Sequence, residues 1–272
     1  MRGPSRDAYA AFDERLQIAV DGSADAAAAI GAALFAVADM MREQPAVRRA
    51  LTDIGRSPDD RETLARSLLR GRTDPAAVDL VAAAARDRWD GGRTFASAIE
   101  EFGVVALLSA ADQRGVLDDV EDELFRFGQV VRAEPALRTA LLDLAAPVDS
   151  RRGLVRTLLS ERVTAETLQV VEHVVLGSRG RTLEAALDHV GDLAAARRRR
   201  RVAVIRVAAP LTTRHRERLE QALAAQTGGP VHLNVVLEPD LVGGIKVEIG
   251  DEVVDGTVRN RLADVERRLA GH

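Results

Sequence analysis

The chain has 272 residues, a net charge of −4 at pH 7 and 46% hydrophobic residues, of which few are aromatic. It contains no cysteine, so disulfides, zinc–thiolate sites, iron–sulfur clusters and thiol catalysis are excluded. The mild negative charge argues against a general nucleic-acid coat. The apolar run at 26–38 is shorter than the roughly 20 residues that cross a bilayer, so we expect no direct membrane insertion.

The first 200 or so residues are predicted to be helical almost throughout. Apolar residues recur there at intervals of three and four, for example at Leu117, Val120, Leu124 and Phe127. Prolines and glycines divide this region into pieces of ordinary helix length. We therefore expect a mainly α protein, with antiparallel helical bundles.

An internal duplication runs through the helical region. Residues 43–69 match residues 133–159 at positions 90 apart, including Pro45 with Pro135 and Arg61 with Arg151. Further on, the Gly-Arg-Thr at 92–94 matches the one at 180–182. We interpret the two copies as related modules in series, at 1–100 and 100–201, which share a helix at about 93–113.

After residue 201 the apolar period changes from helical to alternating. Strands are predicted at 202–210, 231–237, Ile245–Ile249 and 252–254, with a helix at 211–230 capped by Thr212 or Thr213. Gly228-Gly229 would follow that helix, Gly250-Asp251 suits a hairpin, and Thr257 can cap a last helix. The pattern predicts a small α+β domain at 202–272.

Sequence patterns for catalysis, cofactors and metals are missing. No His-Glu-x-x-His, Gly-x-Ser-x-Gly or phosphate-binding Gly-x-x-x-x-Gly-Lys pattern occurs. Lys246 is the only lysine, and strand alternation turns it toward solvent. We therefore predict no catalytic residue, no cofactor and no metal.

Two basic features could suggest RNA binding. Residues 197–201 are five arginines in a row, and 177–180 resembles the Gly-x-x-Gly clamp of KH domains. A helix C-terminus favours cations, and consecutive helical residues do not share one face. An RNA-binding regulator is therefore the less favoured alternative.

Residues 231–269 resemble the C-terminal signature of the F-type ATP synthase δ subunit family, which includes the mitochondrial oligomycin-sensitivity-conferring subunit. The matching positions are Val235, Leu237, Glu238, Leu241, Gly243, Gly244, Ile245, Gly250, Asp251, 254–259, Arg261 and Leu262. Residues 106–124 and 205–223 are also similar to the family, so the resemblance covers about 100–272. Residues 1–100 resemble an additional copy of the helical module.

The resemblance implies a stator subunit of the proton-driven ATP synthase, without catalytic groups and peripheral on the cytoplasmic face of the plasma membrane. In that family the helical domain lies on the α3β3 head. It receives the N-terminal amphipathic segment of an α subunit between its first and fifth helices. The C-terminal domain holds the C-terminal end of the b stalk, so that rotation is coupled to ATP synthesis.

Two sets of partner-binding residues follow from this resemblance. The groove for the α segment would be lined by Val104, Leu107, Leu108, Ala111, Leu168, Val171, Val174 and Val175. The b stalk would contact Gly243, Gly244, Ile245, Val258, Leu262 and Val265. Core packing explains the groove positions equally well, and the two glycines suit a structural turn at least as well as a contact.

Two further hypotheses concern the whole chain. The additional module would be a second docking surface, for another α-subunit tail or for the upper stalk. A free helical adaptor that binds some other amphipathic peptide is the main alternative to a stator subunit, although an adaptor would not need the signature at 231–269.

Overall fold

The computed structural model describes residues 4–177, 182–200, 202–208, 210–227, 231–238, 241, 244–249 and 252–255. By compactness the chain divides into two units, Met1–Ala194 and Ala195–His272. The first unit is helical and the second holds a small sheet, so the predicted fold class is confirmed. The predicted domain boundaries near 100 and 201 stay a prediction.

Eleven helices begin in the first unit within the described ranges. They are α1 (Pro4–Val20), α2 (Ala24–Glu43), α3 (Pro45–Leu51), α4 (Pro58–Leu69), α5 (Pro75–Arg86), α6 (Gly92–Arg114), α7 (Leu117–Ala133), α8 (Pro135–Leu142), α9 (Val148–Leu159), α10 (Ala165–Gly177) and α11 (Leu183–Arg200). Prolines open α3, α4, α5 and α8, because the first helical residue needs no N–H partner.

The duplication recurs in the structure. Helices α3, α4 and α5 begin 90 residues before α8, α9 and α10. The turns repeat as well: the N–H of Gly55 donates to Asp53 Oδ1 at 2.9 Å, and the N–H of Ala145 donates to Asp143 Oδ1 at 2.9 Å. Side-chain hydrogen bonds in turns are therefore part of the repeat, together with the helix positions.

Two hydrophobic cores lie in the helical unit, and α6 contributes to both. Its Phe95 and Phe102 pack into the first core with residues from α1 to α5. Its Leu107 and Leu108 pack into the second core with residues from α7 to α11. Helix α6 therefore packs into both cores, and its assignment to two modules stays a prediction.

Helices α2 and α6 are long and apolar enough to cross a membrane by length and composition alone. In their most apolar windows, 50% of α2 and 67% of α6 is buried within the protein. Packing inside the helical unit therefore accounts for much of their apolar character.

The second unit holds β1 (Val202–Val207), α12 (Thr213–Thr227), β2 (His232–Leu237), β3 (Ile245–Ile249) and β4 (Glu252–Asp255). The strand order is β2-β1-β3-β4, with β1 and β2 parallel and the other pairs antiparallel. These elements confirm the predicted strands and helix to within about three residues. Thr212 Oγ1 accepts the N–H of His215 at 3.3 Å, so Thr212 caps α12.

Alternation gives the sheet one apolar and one charged face. Ala203, Ile205 and Val207 are buried against Leu223 of α12, whereas Arg206 belongs to the opposite face. Gly228-Gly229, Gly250-Asp251 and the helix predicted from Thr257 lie outside the described residues.

Candidate functional site

The eight residues predicted to line a partner groove lie on α6 and α10. Seven of them are buried in the second core, and Leu168 is partly buried against it; the seven are Val104, Leu107, Leu108, Ala111, Val171, Val174 and Val175. Their side chains pack within the helical unit. Their contact with a partner segment stays a prediction.

Helix α2 covers part of the seam between α6 and α10. The Phe35 ring stacks on the His173 imidazole, with the ring centroids 3.8 Å apart and an interplanar angle of 5°. A Cβ placed on Gly103 would lie 2.5 Å from the Phe35 ring, so only glycine allows this approach. Phe35 therefore belongs to the second core, although the rest of α2 packs mainly into the first.

A charged cluster ties α2, α6 and α10 together. His173 Nε2 lies 2.8 Å from Glu100 Oε1, and Arg42 Nη2 lies 3.9 Å from the same oxygen. Arg42 also pairs with Asp39 at 2.8 Å. Periodicity could not identify this cluster, because its members come from three helices and form no local motif. The cluster links the three helices through polar side-chain contacts.

A cleft of about 150 Å³ remains open between α6, α10 and α11. Its lining residues are Ser97, Glu100, Glu101, Val104, His173, Val174, Gly177, Ala186, His189, Val190 and Leu193. A cavity of about this volume accommodates a benzene-sized group. The cleft can thus receive one apolar side chain of a docked segment, with Val104 and Val174 from the predicted set in its wall.

Carboxylates stand on one side of the cleft. Glu101 accepts a hydrogen bond from Tyr9 Oη at 2.5 Å, and its other oxygen lies 3.2 Å from His189 Nε2. Among the residues that the structure describes, no three His, Asp or Glu side chains are placed to hold a metal ion. This side of the cleft favours a basic or amide group on a partner.

In the sheet unit, the structure describes Gly244 and Ile245 from the predicted stalk-binding set. Gly244 has φ of +88°, a left-handed conformation that glycine adopts without strain, and Ile245 pairs with Val207 of β1. This geometry supports a structural role for Gly244. Gly243, Val258, Leu262 and Val265 lie outside the described residues.

An exposed apolar residue on edge strand β2 is not among the predicted stalk contacts. Leu237, at the end of this strand, is 54% exposed. Alternation alone predicts it on the buried face with Val207, its register partner. Its place at the end of an edge strand leaves it uncovered, and an edge strand is where another chain can be added.

Ion pairs define the charged face of the sheet. Lys246 Nζ lies 2.8 Å from Glu248 Oε1, and Arg206 Nε lies 3.4 Å from the same oxygen. The hydrogen bond from Lys246, followed by that from Arg206, lowers the pKa of Glu248 below its usual value. The predicted exposure of Lys246 is thus partial, since its side chain is 34% exposed and paired.

The arginine run lies where the sequence places it. Helix α11 continues to Arg200, so residues 197–200 form its last turn, and Arg201 is outside the described residues. The structure describes Gly177 as the end of α10, but not the loop at 178–181. A helix C-terminus is sufficient reason for the basic run.

Comparison with known proteins identifies the family of this chain. The family model described as ATP synthase delta (OSCP) subunit matches residues 104–269. The chain is 42% identical over 268 residues to ATP synthase subunit delta of Streptomyces avermitilis, covering 98% of both chains. It is 41% identical over 271 residues to the protein of that name in Beutenbergia cavernae, covering 100% of both. These relatives therefore share the first hundred residues as well.

Proposed function

Because this chain belongs to the ATP synthase delta (OSCP) subunit family, and is thereby a peripheral-stalk subunit of an F-type ATP synthase, we propose that it joins the head to the b stalk. The helical unit would hold the N-terminal segment of an α subunit of the α3β3 head. The sheet unit would hold the C-terminal end of b. Family membership supports neither a free adaptor nor an RNA-binding regulator.

The observation that carries this proposal is the division of the chain into two compact units with separate cores. A link between two partners needs two surfaces that fold independently of each other's ligand. The chain would contribute no catalytic group and would act at the cytoplasmic face of the membrane that holds the complex. Its described charged clusters are ion pairs between neighbouring elements, as a scaffold requires.

On the helical unit, we place the α segment at the cleft between α6, α10 and α11. The cleft includes two of the predicted groove residues in its wall, and its lining residues come from α6, α10 and α11. One apolar anchor of an amphipathic helix would enter it, and a basic residue would meet Glu100 and Glu101. This position keeps Val104 and Val174 from the original prediction and adds Val190 and Leu193.

On the sheet unit, we place the b stalk at edge strand β2, next to Leu237. Edge strands offer unpaired backbone groups, and Leu237 adds an exposed apolar side chain. The predicted contacts at Val258, Leu262 and Val265 would extend this surface and stay a prediction.

Two titrations with the full-length chain test the proposal. A labelled peptide of the α-subunit N-terminus and a b C-terminal fragment, both from the same organism, are titrated separately. Ser97→Trp, at the exposed rim of the cleft, should lower the affinity for the α peptide by about tenfold or more. The affinity for the b fragment should stay unchanged. Leu237→Arg should weaken binding of the b fragment by a similar factor and leave binding of the α peptide unchanged. Ser67→Trp, at an exposed serine on α4, is the matched control and should change neither.

Separate losses are the result that supports two independent surfaces. If neither ligand binds the unmodified chain, the stator link is wrong. If Ser97→Trp and Leu237→Arg weaken both ligands equally, the two-surface arrangement is wrong, because a shared surface would then serve both partners.

A further inference from the structure

The interface between the two helical copies shows how a helix docks on this repeat. Along one face of α2 lie Ala28, Gly31 and Phe35, which meet α6 and α10. A Cβ on Gly31 would come within 2.9 Å of Leu107 Cγ. The absence of a side chain at Gly31 therefore allows α2 to approach α6 closely. Phe35 then inserts against His173 of α10. In the first copy, α10 therefore covers the seam between α2 and α6.

The second copy repeats this seam without a cover. Ninety residues after Phe35 comes Phe125 on α7, which is 61% exposed. Gly191 on α11 matches Gly103 on α6, and nothing lies within 4 Å of a Cβ built there. The same aromatic side chain and the same glycine are thus present, but no helix of the described chain occupies the place that α10 has in the first copy.

An ion pair shows that α7 and α11 are arranged as α2 and α6 are. Arg42 on α2 approaches Glu100 on α6 at 3.9 Å. At the matching positions, Arg132 on α7 pairs with Asp188 on α11 at 2.6 Å. The backbone seam that α10 covers in the first copy is therefore repeated between α7 and α11.

The charge of this second seam differs from that of the first. Asp118 and Glu121 stand on α7 where α2 has Ala28 and Gly31, and all share one helical face with Phe125. Asp192 adds an exposed carboxylate nearby, whereas the exposed Asp122 is paired with Arg126 on the same helix. An acidic surface around one large exposed aromatic ring fits a ligand that is apolar at its centre and basic at its flanks.

We propose that the α7–α11 seam around Phe125 docks one amphipathic helix of another polypeptide, with an apolar stripe flanked by arginine or lysine. The helix takes the place that α10 occupies on the α2–α6 seam. The inference rests on the internal repeat and the local charges, and does not depend on the proposed function.

A second copy of this chain fits the seam poorly. In a head-to-tail stack the Phe125 seam would meet the outer face of α1. There Asp13 and Glu14 stand at the positions that Gly103 and Val104 hold on α6, and Asp21 follows directly after α1. Carboxylates would then face carboxylates, which disfavours self-association.

A synthetic peptide of about five helical turns, with a leucine stripe and arginine flanks, serves as the probe. Its binding to the full-length chain is measured by fluorescence anisotropy, beside a peptide with glutamate flanks. The arginine peptide should bind and the glutamate peptide should not. Phe125→Ala should weaken binding by about tenfold or more, because one large apolar anchor is lost.

Leu144→Ala is the matched control, since Leu144 is 67% exposed but lies in the loop between α8 and α9. It should bind the arginine peptide as the unmodified chain does, and both variants should keep the unfolding midpoint. Equal affinity of the Phe125 and Leu144 variants would overturn the proposal. So would binding of the glutamate peptide, or a concentration-dependent dimer that Phe125→Ala abolishes in sedimentation experiments.

Discussion

The two helical copies place the same side chains at matching positions in different surroundings. Phe35 is 8% exposed, whereas Phe125 is 61% exposed, although each follows a buried leucine on the second helix of its copy. Gly103 meets an aromatic ring, whereas Gly191 meets open space. A duplicated sequence thus reproduces helices and turns, but the burial of their outer faces depends on what the neighbouring copy covers.

A buried arginine that occurs in both copies also has different surroundings in each. Arg61 on α4 donates from Nε to the carbonyl of Ala85 at 2.8 Å and from Nη2 to that of Arg86 at 2.7 Å, which satisfies the end of α5. Arg151 on α9 is equally buried, yet its Nε has no hydrogen-bond partner in the part of the chain that the structure describes. One residue type therefore has two local environments.

The largest expected difference between the copies is the effect of removing the aromatic ring. Phe35→Ala should lower the free energy of unfolding by about 3–5 kcal/mol, because it leaves a cavity among α2, α6 and α10. Phe125→Ala should change it by less than about 0.5 kcal/mol, since the ring is mostly solvated. Urea unfolding of both variants checks this. Similar losses would contradict the difference in burial.

Alanine at the matching glycines should give effects of opposite sign. Gly103→Ala places a methyl group 2.5 Å from the Phe35 ring, which is held by His173, and should destabilise by about 1–3 kcal/mol. Gly191→Ala meets nothing and should stabilise by about 0.8–1 kcal/mol through helix propensity. Thermal unfolding should give a lower midpoint for Gly103→Ala and a higher midpoint for Gly191→Ala. Midpoint shifts in the same direction would argue against the repeated seam.

The smallest expected effect concerns a glutamate that only the first copy has. Hydrogen bonds from Arg86 and then Arg66 lower the pKa of Glu62, while the matching position 152 is an arginine. Because the folded-state pKa is below the unfolded one, the stabilisation is present at neutral pH and is lost as the pH falls through the folded-state pKa. Urea unfolding should show Glu62→Gln less stable than the unmodified chain at pH 7.

The same comparison at low pH should show the two proteins converging. The change at the exposed Glu134, Glu134→Gln, is the control and should leave stability nearly unchanged at both pH values. A difference for Glu62→Gln that persists below the folded-state pKa would show that the carboxylate charge is not its cause.

The sequence predicted the features that are encoded locally. Prolines such as Pro45 and Pro135 begin helices because of their own backbone chemistry, and the alternation around Val247 is visible without knowledge of the fold. The shared helix at about 93–113 was identified by comparing the two copies, and α6 extends only about one residue further at each end.

The partner site was less predictable, because an apolar stripe does not reveal what covers it. Val104, Leu107 and Leu108 have the spacing of a docking face, and Phe35 from a helix about 70 residues earlier packs into their core. The residue type is the same for Phe35 and Phe125, and only the residues one and two turns earlier on the same helical face differ, being small on α2 and acidic on α7. The cleft depends on α11 as well as α6 and α10, so it is defined only after the chain has folded.

The sharing of α6 also affects how the role of the first copy can be tested. Deleting residues 1–95 would expose Ile99 and Phe102, which α1 and its neighbours now bury. A loss of ATP synthesis after that deletion would mix misfolding with any lost docking surface. Point substitutions on exposed positions, such as those above, separate the two causes.

Helix α6 has 23 residues, so its backbone extends about 35 Å at 1.5 Å per residue, through both cores and without an interruption. A tether between separate bundles could bend under the torque of a rotary machine. Here the two bundles are joined by one continuous rod that is gripped by side chains along its length. No flexible linker therefore separates the two cores of the helical unit.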